Sequence, residues 1–133
     1  MLVVDDHASM REGIRAIVDA QPDMMIVGEA SDGDQVIEYF RELRPDVVIL
    51  DWNLPRIQGD HVLASVRSEF PSARFVVITA LTEDECIRHA LRLGAQSFLH
   101  KDMLRRELLL AIRAVRNGNQ YLPAEIVNRL NEN

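Results

Sequence analysis

The chain is nearly without lysine. Its fifteen Lys and Arg residues are fourteen arginines and one lysine, Lys101. A general bias towards arginine accounts for the scarcity, but not for where the one lysine stands. Cysteine is equally scarce: Cys86 is alone, which excludes an intrachain disulfide framework. No apolar run approaches the roughly 20 residues of a membrane span, and no charged-apolar-small leader opens the sequence. Together these absences predict a cytoplasmic protein with no membrane partner. A surplus of positive charge is missing too. The net charge of −6 argues against a nucleic-acid footprint on the chain itself. There is no internal repeat, no low-complexity tract, and no linker-like stretch before Asn117. What remains suits one globular domain: 133 residues, 47% hydrophobic and 27% charged.

The clearest stretch is Val47-Val48-Ile49-Leu50-Asp51, four apolar residues running into a carboxylate. A short unbroken apolar run suits a strand buried on both faces, as in a parallel sheet. Leu2-Val3-Val4 (short at its start), Met24-Met25-Ile26-Val27, Phe75-Val76-Val77-Ile78 and Ser97-Phe98-Leu99 are the other strand candidates. Amphipathic helical patterns lie between them. The first opens on the capping-box pattern Ser9-Met10-Arg11-Glu12 and turns Ile14, Ile17 and Val18 to one face. The second follows a cap at Asp32 to Gln35, carries Val36, Ile37, Phe40 and Leu43, and stops before Pro45. Gly59 opens the third, with Val62, Leu63 and Val66. A capping box, Thr82-Glu83-Asp84-Glu85, leads the fourth to a stop at Gly94. The fifth runs from about Leu104 to Arg116, and Pro123 starts a short sixth, Ala124 to Leu130. Strands alternating with helices imply parallel βαβ units and a sheet covered on both faces. The fifth helix carries Leu108, Leu109, Leu110, Ile112 and Val115, more than one buried face needs. Either a broad core face or an interface rimmed by Arg113 and Arg116 accounts for the excess.

Each polar candidate directly follows a strand: Asp5 and Asp6, Asp51, Thr79, Lys101. In a parallel sheet these ends share the carboxyl edge, where ligands bind in open α/β folds. Singly, each has an ordinary explanation. Aspartate is a favoured helix cap, Thr79 suits a turn, and Lys101 suits an exposed charge. Convergence on one edge is what favours chemistry. Three carboxylates at one point repel, so their pKa values rise or a cation neutralises them. All-oxygen ligands without His or Cys favour a hard ion, Mg²⁺ above all. His7 is adjacent but reads as packed or solvent-facing rather than as a ligand. The Lys101 ammonium is a point charge suited to a phosphoryl oxygen, and Thr79 offers a hydroxyl donor. Asp51, alone on its strand, is left to act as nucleophile and form an aspartyl-phosphate.

These residues resemble a known family. Asp5-Asp6, Asp51 with Leu54-Pro55 and Gly59 after it, Thr79-Ala80, Gly94-Ala95 and Phe98-Leu99-His100-Lys101 resemble the receiver domain of two-component response regulators. The resemblance covers residues 2 to about 116. Asp5-Asp6-His7, Asp102 rather than Pro after Lys101, and the tail Asn117-Gly118-Asn119-Gln120-Tyr121-Leu122 resemble the NarL/FixJ subfamily. There a receiver is joined to a LuxR-type helix-turn-helix. The implied fold is α/β, three-layer αβα and flavodoxin-like (CheY-like). It has a five-stranded parallel sheet of order 2-1-3-4-5 and a short extra C-terminal helix. The resemblance implies that Asp51 accepts a phosphoryl group from a histidine kinase. Asp6, Asp51 and the backbone carbonyl of Asn53 would bind Mg²⁺, with Asp5 holding a metal-bound water. Thr79 and Lys101 would contact the phosphoryl group, and Phe98 would turn inward as Thr79 moves. Residues 1–117 would be the receiver. Residues 118–133 would be a linker towards a DNA-binding domain not present here, with homodimerisation on activation.

There are departures from the family pattern. Gln58 stands where Asp is frequent, and Asp60 where an apolar residue is frequent. Asn53 would lie near the path of an attacking water and influence the lifetime of the phosphorylated state. Other functions fit less well. A Mg²⁺-dependent phosphohydrolase of the haloacid dehalogenase type carries a second Asp two residues after its nucleophile, where this chain has Asn53. A flavodoxin-like ligand module would place a Gly-rich phosphate loop after the first strand, and none is there. A stand-alone receiver acting by protein–protein contact is the nearest alternative. The expectation is therefore a phosphoacceptor switch, not an enzyme beyond its own self-catalysed phosphotransfer and dephosphorylation.

Overall fold

The computed structural model describes residues 1–80 and 83–131. Its centre is β3 (Val48–Asp51), every residue of which is buried. Val48 and Ile49 are β-branched and suit a pleated surface packed on both sides. β1 (Leu2–Val4) and β4 (Phe75–Thr79) flank it, with β2 (Gly28–Ala30) and β5 (Ser97–His100) outside them. All pairings are parallel, in the order β2-β1-β3-β4-β5. This is the expected flavodoxin-like topology. The crossovers are α1 (Ala8–Asp19), α2 (Val36–Leu43), α3 (Gly59–Glu69) and α4 (Asp84–Arg92), with α5 (Leu104–Arg116) after β5. α1 packs against α5 and α2 against α3, giving helical layers on both sides of the sheet. Of the apolar faces read from the sequence, Ile14, Val18, Val36, Phe40, Val62, Leu63, Val66 and Ile87 are buried, Ile17, Ile37, Leu91 and Leu93 are half-buried, and Leu43 is exposed.

Three local expectations need correcting. Met24 to Val27 is extended but precedes β2. β1 begins at Leu2, which pairs with Gly28, so the ladder starts there. Before it, the Met1 amino group donates to Met25 O and Val27 N–H donates to Met1 O, each at 2.8 Å. Met24 and Ile26 are buried while Met25 and Val27 are exposed, so the segment lies along Met1 with alternate side chains inward. In α1, the cap position is His7 and Ser9 lies inside the first turn. The Asp5 carboxylate takes the His7 N–H at 2.8 Å and starts the turn early. At α4, Thr82 lies outside the described residues, and Glu83 occupies the cap position without a side-chain cap bond. In α5, Arg113 and Arg116 are held by partners within the chain. They reach Gln21 Oε1 at 2.7 Å and the Asp23 carboxylate at 2.9 Å. Leu108, Ile112 and Val115 are buried, leaving only Leu110 of the leucines largely exposed, at 51%. The broad core face accounts for Leu108, Ile112 and Val115, but not for Leu110.

Two glycines do identifiable work. A Cβ on Gly59 would lie 2.7 Å from Trp52 Cα, so only glycine lets α3 start against the loop after Asp51. Gly94 has φ +104° and closes α4.

The tail docks. Tyr121 forms a parallel bridge with Ser97, its N–H donates to Gln96 O at 2.9 Å, and its hydroxyl donates to Glu107. That bond is the main reason its hydroxyl pKa is pushed up to about 12. α6 (Ala124–Asn131) lies against α4 with Ile126 buried. Arg129 Nε donates to Asp84 Oδ1 and Arg88 Nη2 to Leu130 O, both at 3.1 Å. Too few apolar residues to build a domain are enough to seat one helix. Ile126→Ala is expected to speed amide hydrogen exchange throughout α6 while β3 and β4 keep their protection. Unchanged exchange in α6 would mean that Ile126 does not hold it down.

Candidate functional site

The register Val4↔Leu50 brings Asp5 beside Asp51, both at the carboxyl edge and both buried. Each carboxylate is held by the same local device. His7 N–H donates to Asp5 Oδ1 at 2.8 Å, and Asn53 N–H donates to Asp51 Oδ1 at 3.0 Å. These are side-chain turns of the kind aspartate favours two residues ahead of an N–H. With one oxygen fixed, each carboxylate presents the other to Lys101. Its Nζ lies 3.1 Å from Asp5 Oδ2 and 3.2 Å from Asp51 Oδ2. It hydrogen-bonds Asp51, whereas the buried Asp5 Oδ2 accepts no aligned hydrogen bond. The lone lysine therefore sits between two buried acids.

Electrostatics follow from this count. Burial raises the Asp51 carboxyl above its ordinary value. The Asn53 N–H lowers it, Asp5 raises it and Lys101 lowers it, and burial prevails. Burial also acts on Lys101, lowering it, but the charges of Asp51 and Asp5 outweigh this and raise its pKa. The ammonium faces two anions, whereas Asp51 is buried and shares its one cation with Asp5. A raised carboxyl pKa means the folded state binds the proton more readily than the unfolded chain. That contribution is fully present below the unfolded carboxylate range and is lost as pH rises through the folded value. At neutral pH ionised Asp51 thus costs stability. Asp51→Asn is expected to raise the melting temperature at pH 7, with the gain shrinking as pH falls into the carboxylate range. A lower melting temperature at pH 7 would reverse the sign.

Asp6 is more open, its side chain 30% exposed, and His7 Nδ1 lies 3.2 Å from both Asp5 Oδ1 and Asp6 Oδ1. Asp5, Asp6, His7 and Asp51 each place a ligand atom within 4.8 Å of the others. His7, discounted from the sequence, belongs to the cluster. Three carboxylates and a buried oxygen without a hydrogen bond fit a hard divalent cation. Thr79 ends β4, is buried, and accepts a hydrogen bond from Asn53 Nδ2 at 3.0 Å. That directs the Asn53 side chain to Thr79. Phe98 is fully buried on β5 opposite Val77, so it already lies inside.

Two further residues escaped the sequence reading. Arg11 Nη1 donates to Asp5 O at 2.7 Å, steadying the acidic turn from α1. His100 accepts from Asp102 N–H through Nδ1, and its Nε2 lies 3.0 Å from Ala80 O. Both bonds suit the tautomer with its proton on Nε2. His100 thereby ties the turn bearing Lys101 to the segment after Thr79. Its position beside Lys101 was visible, but nothing in the sequence indicated its partners.

An acidic cluster, a hydroxyl and one lysine at the carboxyl edge of a five-stranded parallel sheet define a receiver-type signalling switch. The sequence model of the response regulator receiver domain matches residues 1–113, and the chain belongs to that family, in its NarL/LuxR-type branch. The nitrate/nitrite response regulator protein NarL of Escherichia coli (strain K12) is 37% identical over 122 residues, 92% of this chain and 56% of NarL. The oxygen regulatory protein NreC of Staphylococcus haemolyticus is 33% identical over 131 residues, 98% of this chain and 60% of NreC. The crystal structure of a LuxR-family two-component response regulator from Aurantimonas sp. has a TM-score of 0.94 at 29% identity, covering 98% of this chain and 94% of that one. The chain thus spans little more than half the length of these curated relatives. Among the described residues, no helix is long and apolar enough to cross a membrane.

Proposed function

We propose that this chain is a phosphorylation-controlled switch whose phosphoacceptor is Asp51 and whose donor is a histidine kinase. The supporting observation is the Asp51 carboxylate itself, with one oxygen on the Asn53 amide, the other on Lys101, and Asp5 at its side. An Asp51 oxygen attacks the phosphorus of a phosphohistidine. The new P–O bond forms as the P–N bond breaks, and the histidine nitrogen leaves with the bonding pair and takes a proton from solvent. Lys101 offers its ammonium to the transferred oxygens, and Thr79 offers its hydroxyl. Asp6, Asp51 and the Asn53 carbonyl would hold Mg²⁺, with Asp5 reaching it through water. A bound Mg²⁺ would supply neutralisation of the carboxylates and of the phosphoryl charge.

The phosphorylated domain then repacks around Thr79, with Phe98 already inside, and changes its surface, favouring a homodimer. The longer relatives, several named as transcriptional regulators, support a receiver over residues 1–117 and a linker over 118–133 leading to a LuxR-type DNA-binding domain. In this reading the domain turns over no external substrate, and its location is the cytoplasm. The test is incubation with acetyl phosphate and Mg²⁺ followed by intact mass. Absence of a phosphoryl adduct overturns the proposal.

A further inference from the structure

We infer that Asn53 is a latch: its side-chain amide holds Thr79 in the unphosphorylated protein and must let go when the switch is thrown. This rests on the reading of Asp51 as phosphoacceptor. The observation is the Asn53 Nδ2–H bond to Thr79 Oγ1 at 3.0 Å, which joins the loop after β3 to the end of β4. The N–H of the same residue holds Asp51 Oδ1 at 3.0 Å. Asn53 is itself exposed, while Asp51 and Thr79 are buried. One surface residue thus reaches inward to both the reactive carboxylate and the hydroxyl that has to respond to it.

A hydroxyl carries one proton and two lone pairs. The amide occupies a lone pair and fixes where the Thr79 oxygen sits. A phosphoryl group on Asp51 would present charged acceptors, which bind a hydroxyl proton more strongly than neutral ones do. Drawing Thr79 towards them stretches its bond to Asn53. An interaction made in one state and lost in the other biases the equilibrium by its net worth. For a neutral hydrogen bond that is about two- to tenfold. Asn53 therefore acts through Thr79, as a positioning residue that sets how much phosphoryl binding is needed to move it. Its backbone carbonyl remains whatever side chain is present, so the latch can be removed without deleting the proposed metal contact.

Trp52 is the only tryptophan, sits next to Asp51, and is buried, so its emission reports on the site. The probe is beryllofluoride with Mg²⁺, titrated into the wild-type chain, Asn53→Ala, Thr79→Val and the double variant. Asn53→Ala is expected to bind the probe about two- to tenfold more tightly than wild type. In the Thr79→Val background the same substitution is expected to change nothing, because no hydroxyl is left to hold. Equal or weaker binding by Asn53→Ala overturns the latch, as does an undiminished gain in the Thr79→Val background. Mg²⁺ titrated alone separates a metal effect: a gain that appears there in full also overturns it. Failure of the underlying reading looks different. The wild-type chain then binds no beryllofluoride, gives no adduct with acetyl phosphate, and the latch falls with it.

Discussion

With acetyl phosphate and Mg²⁺, the wild-type chain is expected to gain one phosphoryl group, and Asp51→Asn none. Three carboxylates compete for that role. Asp5 is fully buried and held between His7 N–H and Lys101. Asp6 is open to solvent but lies apart from the lysine, within 3.2 Å of His7 instead. Asp51 is buried, yet it terminates the central strand and hydrogen-bonds the ammonium that would receive the transferred oxygens. Asn at this position keeps the size and the turn-forming oxygen but has no nucleophilic carboxylate. The expected loss is complete, not partial, since the nucleophile rather than its setting is removed. Labelling that persists in Asp51→Asn would reassign the acceptor, with Asp6 the first alternative to map. Labelling that survives a chelator would remove the cation from the proposal while leaving Asp51 in place.

Lys101→Met should destabilise the unphosphorylated protein by about 3 kcal/mol at pH 7, measured by urea unfolding. The side chain is kept close in volume and loses only its charge. What remains is a pair of buried carboxylates with no counter-ion, and breaking a buried ion pair from one side is the costly direction. Raising the pKa of one acid until it takes a proton limits the loss, so the deficit should narrow as pH falls. The decisive comparison is the double variant. Lys101→Met with Asp51→Asn has one carboxylate fewer and should be more stable than Lys101→Met alone. If it is not, the lysine stabilises by packing and the charge account is wrong. Added Mg²⁺ should also restore Lys101→Met, by mass action on the folded state.

The parts of the fold that could be read beforehand were those governed by burial on both sides. β3 and β4 are buried throughout, so their sequences are unbroken apolar runs. The end-of-strand residues Asp5, Asp51, Thr79 and Lys101 were legible as one group because a parallel sheet leaves them no other arrangement. β2 was displaced because an edge strand's pairing is set by where its neighbour begins, and Leu2 meets Gly28. Ser9 looked like a cap because its sequence neighbours fit, but the Asp5 side chain had already taken the His7 N–H. His7, His100 and the Asn53–Thr79 bond were hidden for a common reason. Each depends on a rotamer at a strand end or in the loop beyond it, and no periodicity records rotamers. The tail was judged by its polarity, which says how much core it can make but not whether a single Ile126 finds a place in someone else's.

The Tyr121 bridge to Ser97 has a consequence for how copies of this protein meet. A sheet ends in strands whose outer backbone groups lack partners, and such rims recruit strands from other molecules. Here the start of one rim is capped by the chain's own tail, with Tyr121 bridged to Ser97 and its N–H on Gln96 O. At the other, β2 pairs Glu29 with Arg11 at 3.3 Å and Arg15 at 2.6 Å of α1, and no tail segment bridges it among the described residues. The two sides of the sheet are therefore unequal in their resistance to aggregation. Trimming the tail would turn the sheltered side into the sticky one.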